Sequence, residues 1–394
     1  MNTAHAFRRT LAHRLFALLA LPAAGAATGC VTAMSSCPDD PETTSRVACF
    51  AWPQDGVGGP GGAGGAGDPG GAGGAGEPVV CPSRSEGEEI LNSTHVANHQ
   101  VKGDGTLQDG QCCYQADVTP ICEGRPYLVD AVARTAPFLR ARGDAGWGAA
   151  EAMTPRIDTL TADLREALAA AWTRDALFEH ASVASFGRFA LELLAAGAPA
   201  DLVEEAHRAA LDEARHARLC FALASAYAGE TIAPGAFPFE GRVEVEADLA
   251  SIAARAAKEG CIGETIAAVI AAEELGAAED PAVRGALAVI AADEARHAEL
   301  AWRTVAWAIR AGGERVRAAV EEVFAGLGRA AVGESVDGEG SDGAESARLA
   351  AHGRFGAAAR GEAAARAVEE VVRPAARLLL AGRGDGAARR VMVV

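Results

Sequence analysis

The chain has 394 residues with a formal net charge of −17, and 49% of it is hydrophobic. A surface this acidic repels phosphate backbones and anionic lipids, which argues against nucleic acid or a bare membrane surface as a partner. Aromatic residues make up only 5% while there are 46 glycines, a composition typical of small-residue helices joined by flexible linkers.

Residues 1–29 have the organisation of an export signal: a positive start, an apolar run and an ending of small residues, at Arg8-Arg9, Leu15–Leu21 and Ala27-Thr28-Gly29-Cys30. The ending resembles a bacterial lipobox, whose cysteine becomes the lipidated first residue of the mature chain, although Ala27 stands where leucine is usual. We therefore expect an exported lipoprotein anchored through Cys30. The alternatives are an ordinary cleaved signal and, given the adjacent arginines, a twin-arginine signal.

The segments between Cys30 and residue 150 predict a tether and a small disulfide-rich region. Residues 30–78 contain near-repeats of Gly-Gly-Ala, which is typical of a flexible spacer, and residues 79–150 carry strand and turn signals. Six cysteines lie here, an even number that in an exported segment predicts up to three disulfides: Cys37, Cys49, Cys81, Cys112, Cys113 and Cys122. Free thiols are the alternative, whereas zinc is disfavoured because no paired Cys-x-x-Cys spacing occurs.

Residues 151–330 predict the main domain, because apolar residues recur there at three- and four-residue spacing. No later run reaches the ~20 uninterrupted apolar residues of a spanning helix, so we expect a lipid anchor only. Four helices are expected, over Asp158–Ala196, Asp201–Tyr227, Val245–Ala278 and Pro281–Arg310, with Asp201 and Asp280 as caps. Two helical hairpins joined by a crossover of about 20 residues predict an all-α, four-helix bundle.

The remaining residues predict accessory helices. A helix is expected over Glu314–Leu327, and residues 331–394 predict a polar linker followed by a C-terminal helix over Ala344–Ala381. Pro374 should kink or split that last helix, because proline removes a backbone donor and clashes with the preceding turn.

The strongest signal is one pentapeptide pattern that occurs twice, as Asp212-Glu-Ala-Arg-His216 and Asp293-Glu-Ala-Arg-His297. Glu213 with His216, and Glu294 with His297, are three residues apart, so each pair shares one helix face. Each pair falls on the second helix of a hairpin, and a glutamate about 35 residues upstream lies at a similar height on the first helix.

The upstream glutamate of the first hairpin is Glu179, whose face is otherwise apolar. The second hairpin offers Glu259 and Glu264. Spacing and the surrounding isoleucines favour Glu259, since Glu264 lies about 140° around an ideal helix and would reach the core only if the helix bulged.

Four core-facing carboxylates are costly to bury unless cations neutralise them. Two divalent ions would balance four glutamates, and oxygen and imidazole ligands without thiolate suit iron or manganese. The alternative is that these residues are surface charges on a helix edge. The matching positions of these residues in the two hairpins argue against surface charges. We therefore expect two iron ions at this site, and manganese is the alternative metal.

This arrangement, a glutamate and a Glu-x-x-His motif in each hairpin, resembles the ligand set of the ferritin-like di-iron carboxylate superfamily over about 170 residues. The fuller Asp-Glu-x-Arg-His pattern is similar to bacterial multicomponent monooxygenase hydroxylases and acyl-carrier-protein desaturases. The resemblance implies that Asp212 supports His297 and Asp293 supports His216 across the hairpins. Arg215 and Arg296 would join that network, although all four could be solvated helix charges.

The resemblance implies an oxidoreductase that activates dioxygen or peroxide, with an external electron donor since the sequence has no flavin motif or rubredoxin-like site. A second hypothesis is iron or manganese binding or sequestration without catalysis. A third is a purely structural bundle that presents the cysteine-rich segment.

Overall fold

The structure of the chain is a computed structural model, which describes residues 3–19, 44–51, 81–84, 97–108, 111–120, 127–129, 132–141, 146–147, 153–239, 241, 243–330 and 343–381. The predictions for Cys30, Cys37, Cys122 and the glycine repeats fall outside these residues. The described chain is mostly helical with a few short strands. Within it, no helix combines the length and apolarity that crossing a membrane requires.

The chain divides into two compact units. The β-sheet unit is Pro41–Ile121, and the helical unit comprises Met1–Asp40 and Cys122–Val394. The helices of the helical unit are α1 (Thr3–Leu19), α2 (Ala162–Ala195), α3 (Ala200–Ala228), α4 (Leu249–Arg255), α5 (Thr265–Ala277), α6 (Pro281–Ala330), α7 (Gly343–Ala351), α8 (Ala357–Ala367) and α9 (Arg373–Ala381), with π-helical segments π1 (Ala256–Glu264) and π2 (Val368–Val372).

The β-sheet unit contains one four-stranded antiparallel sheet. Its strands are β1 (Thr44–Ala51), β2 (Ala97–Val101), β3 (Thr106–Gln108) and β4 (Gln111–Pro120). The long strand β4 lies in the centre, with β1 along one side and both β2 and β3 along the other. A disulfide between Cys81 and Cys112 fastens the segment before β2 to β4. This bond confirms one of the predicted disulfides.

Four short strands belong to the helical unit: β5 (Tyr127–Val129), β6 (Val132–Arg134), β7 (Phe138–Ala141) and β8 (Thr231–Pro234). They form two antiparallel pairs, β5 with β6 and β7 with β8. The connection between α3 and α4 contains β8, so its pairing with β7 secures this long crossover to the chain that precedes α2.

The main helices pack in pairs. The helix α2 lies along α3, and α6 lies along α4, π1 and α5, while α3 and α6 contact each other between the pairs. The α2–α3 connection is short, because Gly197 takes a left-handed conformation (φ 68°) and Pro199 follows it. These contacts bring together the helices that carry the two Glu-x-x-His motifs.

The helix ends follow the local sequence with one correction. Thr161 caps α2, and Asp280 caps α6 by accepting hydrogen bonds from the amides of Ala282 and Val283, as its sequence predicts. The prediction that Asp201 caps α3 is wrong. The helix begins one residue earlier after Pro199, and Asp201 lies in its first turn, where its charge favours the helix dipole instead.

The C-terminal region also differs from the helix over Ala344–Ala381, kinked or split at Pro374, that we expected. The chain turns between α7 and α8, with Gly353 in a left-handed conformation (φ 71°), so the main break lies there rather than at Pro374. Pro374 follows π2 and sits in the first turn of α9, a position where its missing amide donor costs little. In α6, Gly313 (φ 66°) interrupts the helix between the two expected segments.

The N-terminal helix α1 packs against α5, α6, π2 and α9. Leu11 and Leu15 are buried in this contact, and the guanidinium of Arg8 lies 2.5 Å from Glu273 and 2.7 Å from Glu370. The residues that resemble an export signal therefore also form an amphipathic helix that complements the surface of the helical unit.

The core of the helical unit consists of two apolar clusters. Along α2, one cluster includes Ala176 and the other begins at Phe186; along α3, the clusters reach Ala209 and Ala217. The gaps between them contain the predicted glutamates and histidines, so a polar layer crosses the core.

Candidate metal centre

The polar layer is a cluster of six side chains, which we call the Glu/His cluster: Glu179 from α2, Glu213 and His216 from α3, Glu264 from the end of π1, and Glu294 and His297 from α6. They form two overlapping groups of four whose ligand atoms lie within 4.8 Å of one another. One group contains Glu179 and His216, the other contains Glu264 and His297, and both contain Glu213 and Glu294.

The two imidazoles direct their Nδ1 atoms at the carboxylates. The Nδ1 atom of His216 lies 3.6 Å from Glu179, 3.7 Å from Glu213 and 3.4 Å from Glu294. The Nδ1 atom of His297 lies 3.0 Å from Glu213 and 3.6 Å from Glu294. Each imidazole therefore faces both of the shared glutamates, and the two ring centroids are 5.9 Å apart.

An aspartate from the opposite helix stands behind each imidazole. The Nε2 atom of His216 lies 3.0 Å from Asp293, and the Nε2 atom of His297 lies 3.5 Å from Asp212. The structure thus brings each aspartate to the histidine of the other motif, the arrangement that the resemblance implies. Such contacts fix the orientation of an imidazole and leave its other nitrogen for a metal ion.

The two motif arginines bridge the aspartates. Arg296 contacts Asp293 at 2.6 Å and Asp212 at 2.9 Å, and Arg215 contacts Asp212 at 3.1 Å and also pairs with Asp293. Although burial opposes ionisation of Asp293, its hydrogen bonds to His216 and Arg296 lower its pKa to about 2. The aspartate is therefore charged at neutral pH.

Burial gives the carboxyl groups of the cluster unequal pKa values. Desolvation, together with the charge of Glu213, raises the pKa of Glu179 well above its usual range. Desolvation acts in the same direction on Glu294, but its close contacts with His216 and His297 outweigh it and lower the pKa of Glu294. Glu294, which both groups of four share, is thus ionised, while Glu179, which belongs to one group, holds its proton more firmly.

The imidazoles have pKa values raised well above their usual range. Burial alone would lower both, but the hydrogen bond to Asp293 and the close contacts with three glutamates outweigh it for His216, and the close contacts with Asp212 and two glutamates do so for His297. The positive charge that the cluster requires is therefore supplied by protonated imidazoles, and a bound metal ion would take the place of those protons.

The donor atoms fit a metal ion. The Oε2 atoms of Glu213 and Glu294 and the Nδ1 atoms of His216 and His297 are buried and have no hydrogen-bond partner among the described residues. Buried polar atoms are rarely left without a partner, because doing so costs about 1–3 kcal/mol each. Carboxylate oxygens and imidazole nitrogens that converge without partners form a group that could hold a metal ion.

Of the two candidate glutamates of the second hairpin, the structure brings Glu264 to the other predicted ligands, whereas the sequence favours Glu259. Glu264 joins the Glu/His cluster, whereas Glu259 lies 3.5 Å from Arg188 and belongs to neither group of four. The π-helical segment π1 is the bulge that lets Glu264 reach the core, because its i→i+5 hydrogen bonding changes the angle between the two residues from that of an α-helix.

Among the described residues, His180, Cys220 and the cysteines of the β-sheet unit lie outside the Glu/His cluster. The ring of His180 packs edge-on against Trp147, with 4.8 Å between ring centroids, and Cys220 is a buried free thiol. In the β-sheet unit, Cys113 is disulfide-bonded and lies opposite Cys49 in the strand register.

Sequence reasoning missed a buried ionic network beside Glu259. Arg188 lies 3.5 Å from Glu259 and 3.7 Å from Glu192, and Arg255 also pairs with Glu192. The side chains of Arg188, Glu192 and Glu259 are all less than 8% exposed. The available signal was an arginine between two phenylalanines in a stretch that otherwise reads as core.

The helical unit therefore contains a buried cluster of glutamates and histidines that could hold a metal ion. The types and positions of these residues are compatible with a ferritin-like site. No protein-family model, no curated protein and no solved structure matches this chain.

Proposed function

We propose that the helical unit is a ferritin-like four-helix bundle that holds two metal ions, iron in the first instance. The observation that carries this proposal is the overlap of the two groups of four, which share Glu213 and Glu294 and have one histidine each. A single-ion site would need only one such group. Two divalent ions would also balance the charge of four ionised glutamates.

Iron and manganese suit the donor set, because hard carboxylate oxygens predominate, imidazole supplies the rest and no thiolate takes part. Glu179 and His216 would serve one ion, Glu264 and His297 the other, and Glu213 and Glu294 both. Asp212 and Asp293 would hold the imidazoles in register, and Arg215 with Arg296 would fix the aspartates.

We further propose that the protein is an oxidoreductase that activates dioxygen or peroxide. A pair of iron ions would supply the electrons for reducing either oxidant, and a separate protein would restore them. The chain contributes a site that is largely closed to water, since every residue of the cluster is 5% exposed or less apart from Glu179 at 18%. A small oxidant would therefore enter beside Glu179.

Metal binding without turnover is the second candidate function. It is favoured by the deep burial of the shared glutamates between two apolar clusters, which suits slow release of the ions. The two functions differ in a measurable way, because an oxidoreductase consumes oxidant repeatedly when a reductant is present and a sequestering protein does not.

Residues 8–30 support a proposal for location, namely export and anchoring through a lipid on Cys30. An anchored bundle on a glycine-rich tether would act outside the cytoplasm. This location also suits the disulfide between Cys81 and Cys112, since such bonds persist in oxidising compartments.

The experiment that tests the function is elemental analysis of the purified protein, followed by anaerobic Fe(II) loading and exposure to dioxygen or peroxide. We expect two ions per chain and oxidant consumption that continues with a reductant. Stoichiometric binding without continued consumption would favour sequestration. A protein that binds neither iron nor manganese would contradict both functions.

A further inference from the structure

The segment π1 carries two buried glutamates that have different partners. Glu264, at its end, belongs to the Glu/His cluster, while Glu259 lies 3.5 Å from the Nη2 atom of Arg188. In an ideal α-helix, residues five positions apart point about 140° away from each other. The i→i+5 hydrogen bonding of π1 instead places the two glutamates one turn apart on a similar face.

The π-helical geometry alone therefore does not decide which glutamate reaches the metal ions. Both side chains are buried, and neither a charge nor a size difference distinguishes them. The distinguishing contact comes from α2, nine residues after Glu179, where Arg188 is buried to 7% exposure. A buried guanidinium requires a carboxylate, because an uncompensated charge in the core is strongly destabilising.

The charged side chains around Arg188 balance one another without the metal centre. Arg188 and Arg255 supply two positive charges, and Glu192 and Glu259 supply two negative ones. The Glu/His cluster has four glutamates, which two divalent ions balance. A fifth carboxylate at the metal centre would leave an excess negative charge there and an unbalanced arginine beside it.

We propose that Arg188 is a positioning residue that holds Glu259 out of the metal centre and thereby makes Glu264 the ligand. Glu259 is then a carboxylate that can replace Glu264 as a ligand once its contact with Arg188 is lost. This assignment rests on the proposed metal-binding function. It predicts that the loss of Glu264 can be repaired by releasing Glu259, which an arginine with a merely structural role would not allow.

The test is anaerobic Co(II) titration of the full chain, followed by visible absorption, which reports ligand number without turnover. We expect the wild type to bind two Co(II) ions and Glu264→Gln to bind one of them at least tenfold more weakly. The double variant Arg188→Gln/Glu264→Gln should recover affinity to within about threefold of the wild type. Adding Glu259→Gln to that double variant should remove the recovery.

Arg255→Gln/Glu264→Gln is the matched control, because Arg255 belongs to the same ionic network but pairs with Glu192. It should bind Co(II) as weakly as Glu264→Gln alone, as should Arg188→Lys/Glu264→Gln, which keeps the positive charge. If Arg188→Gln does not fold, as judged by circular dichroism, Arg188→Met keeps the side-chain length and takes its place.

The outcomes separate the two proposals. A wild type that binds no Co(II) overturns the metal-binding function and this assignment with it. A wild type that binds two ions, combined with no recovery in the double variant, overturns the assignment alone. Recovery that persists after Glu259→Gln would also overturn it, because the restored ligand would then be another group.

Discussion

The Nε2 atom of His216 on α3 lies 3.0 Å from the Oδ2 atom of Asp293 on α6. This contact joins the two Glu-x-x-His motifs and turns the Nδ1 atom of His216 toward the glutamates. The orientation of the nitrogen that faces the glutamates on one helix thus depends on an aspartate of the other. Its loss should therefore affect metal binding more than the fold.

Replacing Asp293 by asparagine should weaken metal binding about 10–100-fold, the usual effect of removing a carboxylate behind a metal-bound imidazole. The amide has a similar size but no charge, so it cannot stabilise the imidazole that Asp293 holds. Equilibrium dialysis against Mn(II) measures the effect. Asp201→Asn is the matched control, because Asp201 is an exposed aspartate paired with Arg303. Equal affinities for the two variants would contradict the role of Asp293.

The candidate site was predictable from the sequence where its geometry depends on an α-helix. Glu213 and His216 are three residues apart on one face, and the same holds for Glu294 and His297, so their convergence needed only the pairing of the hairpins. The cap at Asp280 was predictable for the same local reason.

The choice of Glu264 was not predictable, because it depends on π1 and on a contact with a different helix. Local patterns favoured Glu259, but the side chain of Glu259 contacts the buried Arg188 of α2. The prediction of the N-terminal cap of α3 failed for a similar reason, since the helix starts after Pro199 and Asp201 lies inside its first turn. Tertiary contacts and backbone irregularities lie beyond a periodicity argument.

Metal bound at the Glu/His cluster should stabilise the fold. Replacing Glu213 and His297 together by alanine removes buried charges, so the metal-free variant should unfold at a temperature no lower than the metal-free wild type. Mn(II) at 100 times its dissociation constant should stabilise the wild type by about 2.7 kcal/mol for each bound ion and leave the variant unchanged. Calorimetry measures both. A metal-dependent shift in the variant would show that the ions bind elsewhere.

Arg354 should be essential for the stability of the helical unit. It contacts Glu274 at 3.2 Å, pairs with Asp175 and lies 3.4 Å from the ring centroid of Trp172, so it fastens the turn before α8 to α2 and α5. Arg354→Ala leaves Glu274 buried with less compensation, which we expect to cost about 3–5 kcal/mol.

Urea unfolding followed by circular dichroism measures that loss, and Arg348→Ala, an exposed arginine on α7, is the control. The control should change the free energy of unfolding by less than about 0.5 kcal/mol. A similar small change for Arg354→Ala would mean that the C-terminal helices contribute little to the core.

The export proposal predicts a mature chain that begins at lipidated Cys30. Mass spectrometry of the membrane fraction should show that species, and Cys30→Ser should abolish the lipid while Cys37→Ser retains it. Processing would also remove Arg8, yet Glu273 would keep its contact with Arg366 at 2.6 Å. A mature protein that retains residues 1–29 would contradict processing and favour α1 as a permanent helix.

Asp248 should make the stability of the helical unit depend on pH. Its carboxylate accepts hydrogen bonds from the amide of Ser251 at 3.0 Å and from Arg315 at 2.8 Å. Burial would raise the pKa of Asp248, but these hydrogen bonds outweigh it and lower the pKa below its ordinary value. The ionised group therefore stabilises the fold above the unfolded pKa of about 3.9, and this contribution is lost as pH falls through the folded pKa.

Asp248→Asn tests this dependence, because asparagine caps a helix about as well as aspartate but cannot pair with Arg315 as an anion. We expect the variant to be about 1 kcal/mol less stable than the wild type at pH 7. The difference should shrink toward pH 2, as the wild-type carboxyl group takes up its proton. Urea unfolding at both pH values, repeated with Arg315→Gln, isolates the pair. If the difference between the two proteins is the same at both pH values, the charge of Asp248 does not stabilise the fold.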